Sequence, residues 1–128
     1  LDLVHWALDL THPLSVEAKG PPVDPFSTPE WLQVDFRYPA RKGRPPVHVT
    51  WHGGRKPDQL ATLKGADGNP LNWGSGQLFI GSKGMLISDY SRHLLLPMDQ
   101  FRDFQRPAEF IPNSIGHHAE WIHAIKNG

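Results

Sequence analysis

Cysteine is absent from all 128 residues, and with it go disulfide frameworks, thiolate metal sites and thiol nucleophiles. Its absence does not identify a compartment. No apolar run approaches the roughly 18 residues that a membrane span needs, and the first residues lack the architecture of a signal peptide. Charge of either sign is not in excess, since 13 basic and 13 acidic residues cancel to a formal net charge of zero. A duplex nucleic-acid binder normally carries a basic stripe. Here the densest basic cluster, "ARKGRP" at 40–45, is short and bounded by proline, and it reads as a solvated turn. Nucleic acid and membrane are therefore not expected partners. Several signatures are missing too: no G-x-G-x-x-G, G-x-S-x-G or H-E-x-x-H occurs, and "GGRKP" is too short for a phosphate loop.

Proline and glycine are plentiful instead, with 13 and 12 copies that cut the chain into short elements. The length suits one domain spanning 1–128. "LDLVHWALDL" has helical apolar spacing and reads as a short, largely buried helix ended before Pro13. "LSVEAKG", "WLQVDFRYP" and "PVHVTWHGG" alternate with period two and predict strands. In the second of these, Leu32, Val34, Phe36 and Tyr38 oppose Trp31, Gln33, Asp35 and Arg37. Residues 53–75 form a Gly/Pro/Asp-rich excursion with one helical turn near "PDQLATL", and a loop of that length is usually functional or disordered. "GQLFIGSKGMLISDY" predicts a hairpin in which Gly81 and Gly84 supply positive φ, and "RHLLLPM" adds a strand. A helix closes the chain, entered at Asn113 or Ser114 and ended by asparagine and glycine. The expected fold class is α+β: a two-layer, mostly antiparallel or mixed open sheet with helices packed on one face.

Three of the eight histidines, His117, His118 and His123, fall on that last helix. A helical metal pair wants i,i+4 spacing. These are five and six residues apart, and adjacent His117 and His118 diverge by about 100°, so no metal is expected. Two readings stay open. They are polar first-turn residues of an amphipathic helix, or His117 or His118 projects toward a polar ligand as a hydroxyl partner. The polar strand face is the other candidate. Trp31, His48, Thr50 and His52 alternate among Glu17, Lys19, Asp35 and Arg37, beside a loop bearing Arg55, Lys56, Asn72 and Trp73. Indole faces with charged and hydrogen-bonding groups suit a sugar-like ligand, and equally a polar oligomer interface.

"LDLVHWALD", "LFIGSKGMLISD" and "HHAEWIHAIKNG", in that order, resemble the C-terminal domain of the Gfo/Idh/MocA oxidoreductase family. That family groups glucose–fructose oxidoreductase and inositol dehydrogenase relatives. "RPAEFIPNSIGHHAEW" is similar to bacterial members known as NADH-dependent dehydrogenases. The similarity runs over essentially the whole chain. It implies a parent enzyme in which a separate Rossmann domain holds NAD or NADP, while this domain binds substrate and mediates oligomerisation. The implied reaction passes a hydride between nicotinamide and a carbon of a sugar or polyol. Asp2 matches the last aspartate of the family's His-x-x-Asp element, so the usual catalytic groups would lie upstream of Leu1 and this piece would not turn over alone. No cofactor is expected in this chain. The expected substrate contacts are His117, His118, Trp51, His52, Arg55 and Lys56, acting by hydrogen bonding and stacking, in a homo-oligomer built through the sheet face. A non-catalytic carbohydrate-binding or protein-interaction module is the alternative.

Overall fold

The computed structural model describes residues 2–41 and 43–127. Leu1, Lys42 and Gly128 lie outside the described residues, and with them the first residue of the expected opening helix, part of the basic link and the closing glycine. The elements run α1 (Asp2–Leu8), β1 (Ser15–Lys19), β2 (Leu32–Tyr38), β3 (Val47–Gly53), α2 (Asp58–Thr62), β4 (Gln77–Gly81), β5 (Gly84–Ser88), β6 (His93–Leu96) and α3 (His117–Asn127). The class is α+β. The six strands form two antiparallel three-stranded sheets, ordered β1-β2-β3 and β4-β5-β6.

In the first sheet, period-two alternation meets a cross-strand register that keeps like with like. Val16 lies opposite Phe36 and Phe36 opposite Val49, while Ala18, Val34 and Trp51 form the next apolar row. Between these rows stand Ser15–Arg37–His48, Glu17–Asp35–Thr50 and Lys19–Gln33–His52, all on the other face. One face is thus apolar and one is a three-by-three polar grid. The apolar face is covered only at the Tyr38 end, where Tyr38 and Val49 are buried. There His5 of α1 sets its ring edge against Tyr38 and shares a 2.6 Å hydrogen bond with the phenol oxygen. Arg44 adds a bond to the Leu8 carbonyl, and Arg41 an ion pair with Asp9. Burial raises the Tyr38 phenol pKa.

α1 is shorter and less buried than its spacing predicts. Asp9 adopts a φ of 51°, and the amide of Leu10 returns to the His5 carbonyl, which closes the helix before "THP" is reached. No α1 residue is buried, and Leu3 and Trp6 remain largely uncovered by the described residues.

The second sheet owes its core to the excursion, its short helix α2 included. Within residues 53–75, α2 leads to Leu63, and the Leu71 amide donates to the Leu63 carbonyl across a small loop. That bracket delivers Leu63 and Trp73 onto Ile87 and Leu96, the four buried residues of the cluster. Leu60, Leu71, Leu78, Met85, Leu94 and Met98 surround them. In the β4–β5 turn only Gly84 has positive φ, at 151°; a Cβ there would lie 2.5 Å from the Phe101 ring. Glycine therefore serves ring packing as well as chain reversal.

α3 starts at His117, later than the expected entry at Asn113 or Ser114, because Gly116 takes a φ of 93° just before it. Every described residue from Arg102 onward is exposed, and Trp121, Ile122 and Ile125 pack against no other element among the described residues. No described helix is long and apolar enough to cross a membrane.

Candidate functional site

The polar grid is built around Asp35. Its place at the middle of β2 puts strands on both sides, and the residue keeps only 8% of its surface. Both carboxylate oxygens are used. Oδ1 accepts the Thr50 hydroxyl at 2.8 Å and His48 Nε2–H at 2.7 Å, and Oδ2 accepts the Gln33 amide at 2.8 Å. The Gln33 bond first, then those from Thr50 and His48, hold the Asp35 carboxyl far below the usual carboxylate range against the opposing effect of burial. An ionised carboxylate only accepts, so Nε2 of His48 must carry the proton in this pair. His48 Nδ1 has no hydrogen-bond partner among the described residues, on a side chain 41% exposed.

Around this centre the grid is open. The guanidinium of Arg37, exposed and directly opposite His48, has no hydrogen-bond or ion-pair partner among the described residues. Glu17 and Lys19 pair loosely with each other at 3.6 Å. At the end nearest Gln33 and His52, the Arg55 guanidinium sits 4.5 Å above the Trp31 ring centroid. Gly54 makes this possible with a φ of 74°, where any Cβ would strike the Glu30 carbonyl. Such a cation–π stack contributes about 0.5–1 kcal/mol at an exposed position.

The expected contacts divide accordingly. His52 lies on the polar face, and Arg55 joins its edge through Trp31. Trp51 points to the opposite, apolar face, because adjacent strand residues alternate. Lys56 is exposed beyond the strand end. His117 and His118 touch each other edge to face, 5.8 Å between centroids, on the exposed first turn of α3. Trp73, grouped with this face by sequence proximity to the loop, is instead buried in the second sheet under Arg92, 4.0 Å from its centroid. The feature that sequence reasoning underused is the Asp35–His48–Thr50–Gln33 cluster. Its signal was available in the strictly alternating polar positions of β2 and β3.

A larger concavity of about 840 Å³ lies on the second sheet, among Leu94, Met98, Phe104 and Phe110. Its lining is mainly apolar, and its charges, Asp99 and Glu109 against Arg102 and Arg106, balance. That chemistry suits an apolar cover better than a polar small molecule, so the polar grid is the stronger site despite its shallowness. Among the described residues, no group of three or more histidine and acidic side chains could hold a metal ion. Compared with known proteins, the chain matches no family model, no curated sequence and no solved structure, so a functional reading rests on this face and on the sequence motifs.

Proposed function

We propose that this chain is the substrate-binding and oligomerisation domain of an NAD(P)-dependent oxidoreductase acting on a sugar or polyol. The observation that carries the reading is an uncovered sheet face centred on a buried, fully bonded carboxylate with imidazole, hydroxyl and amide groups around it. Polyol hydroxyls both donate and accept, and this grid offers both roles within one strand spacing. The Trp31–Arg55 stack gives a rigid edge for the C–H face of a sugar. The resemblance to the Gfo/Idh/MocA family supplies the oxidoreductase part. Both sheets are antiparallel, and no glycine-rich loop opens a helix among the described residues. On this reading the dinucleotide belongs to a separate Rossmann domain, as the resemblance implies.

Titration of the 128-residue chain with neutral monosaccharides and polyols should shift amide resonances at Gln33, Asp35, His48, Thr50 and His52. If no sugar perturbs that face, the reading falls. The resemblance adds His117 and His118 as hydrogen-bonding contacts, although α3 is exposed and packs on neither sheet here, and unchanged sugar affinity in His118→Ala would remove His118. The alternative, a carbohydrate-binding or interaction module, draws on the same face because none of its contacts needs a cofactor. A strand-bounded G-x-G-x-x-G encoded upstream decides for the oxidoreductase.

The homo-oligomer is proposed through the apolar side of the first sheet, where Val16 and Trp51 stand 55% and 40% exposed. Light scattering should show mass rising with concentration, and Trp51→Glu should suppress the rise. A constant monomer mass at high concentration would overturn this assembly.

A further inference from the structure

We infer that the polar face selects a 2-hydroxy acid, the carboxylate-bearing form of a sugar chain, through Arg37 and His48. The inference rests on the sugar-binding reading above and narrows its substrate class.

Arg37 and His48 are cross-strand partners in the β2–β3 register, which sets their Cβ atoms roughly 4.5–5.5 Å apart on the same face. Their free functions are complementary. The Arg37 guanidinium has no partner among the described residues, and its planar fork matches a carboxylate. His48 is fixed through Nε2 by Asp35, so its Nδ1 is left as the ring's remaining hydrogen-bonding atom for a hydroxyl. A carboxylate and the hydroxyl on its neighbouring carbon occupy adjacent positions in one small molecule, as these two side chains do on adjacent strands. The third member of the row, Ser15, is small and leaves the β1 side open.

The nearby negative charges do not forbid an anion. Both oxygens of Asp35 are filled by three donors, and Glu17 is paired with Lys19. Arg37 is the one guanidinium of the strand grid, and its charge is uncommitted. A neutral polyol would use His48 and leave Arg37 idle. A hydroxy acid uses both.

Three probes separate the possibilities: gluconate, sorbitol (the same carbon chain without the carboxylate) and acetate (a carboxylate without a hydroxyl). Titrations of the 128-residue chain, read by amide shifts on β2 and β3, should give gluconate an affinity about tenfold above sorbitol, equivalent to one good charge-assisted contact. Arg37→Gln should erase that tenfold preference while sorbitol affinity stays unchanged. His48→Gln should weaken gluconate and sorbitol alike, and acetate should bind more weakly than gluconate. Both positions are solvent-exposed at the side chain, so the variants should fold. Equal affinity for gluconate and sorbitol, or a preference that survives Arg37→Gln, would overturn the hydroxy-acid assignment and leave the sugar-binding reading standing. Acetate binding as tightly as gluconate would reduce the site to a simple anion contact and overturn it as well. If neither gluconate nor sorbitol perturbs this face, the underlying sugar-binding reading fails together with the inference.

Discussion

Trp73→Ala is expected to cost about 3–5 kcal/mol, as large-to-small substitutions of buried aromatics do. The site gives little scope for collapse. Trp73 is 2% exposed, and its three buried companions, Leu63, Ile87 and Leu96, come from three separate segments that meet around it. Removing the indole also takes the surface on which Arg92 lies. A loss of that size is a large part of the stability of an ordinary domain, so the second sheet should lose fixed tertiary structure. Urea denaturation followed by near-ultraviolet circular dichroism would measure it. A midpoint barely different from the parent chain would mean that the indole does not organise this core. Trp73→Phe should be milder, by more than half. It keeps an aromatic ring and removes the Nε1–H, which is buried without a partner and carries its own desolvation cost of roughly 1–3 kcal/mol.

Asp35→Ala should destabilise the first sheet by about 2–3 kcal/mol, the range for breaking a mostly buried, charge-assisted network. Three donors lose their shared acceptor at once, although Thr50 and His48 can recover part of the loss from water. The pH dependence has a definite sign. Because the folded state depresses the Asp35 pKa below its ordinary 3.8, the ionised carboxylate contributes its full stabilisation above that value. The contribution is lost as pH falls below 3.8 toward the much lower folded value. Asp89, held near 2 mainly by the Ser91 backbone amide, titrates in the same acid window. Comparison with Asp35→Asn isolates the Asp35 share: between about pH 4 and pH 2 the variant should lose stability less steeply than the parent. Equal slopes in a two-state urea series would refute the assignment.

Individual strands were largely legible from sequence, and their assembly was not. Alternation placed β1, β2 and β3 within a residue or so, and sorted Asp35, His48, Thr50 and His52 onto one face. Period two says which way a side chain points. It does not say which strands share a sheet, so a single sheet was expected where residues 53–75 separate two. Leu63 and Trp73 sit in a stretch whose glycines and prolines read as loop, and the Leu71–Leu63 hydrogen bond shows how they reach the core. At the candidate site, residue type identified the polar face, but cross-strand register decided that Asp35 is the bonded centre and that Arg37 faces His48. Trp51 was paired with His52 as a ligand contact because they are neighbours in sequence, and neighbours on a strand face apart.

Both sheets are simple meanders in which each strand bonds the one before it. During synthesis, all pairings of the first sheet become possible once residue 53 has left the ribosome, and those of the second once residue 96 has. No strand must wait for a distant partner, which is the topology that favours rapid assembly. The delay falls instead on covering surfaces, since the open apolar side of the first sheet is already present while the rest of the chain is still being made.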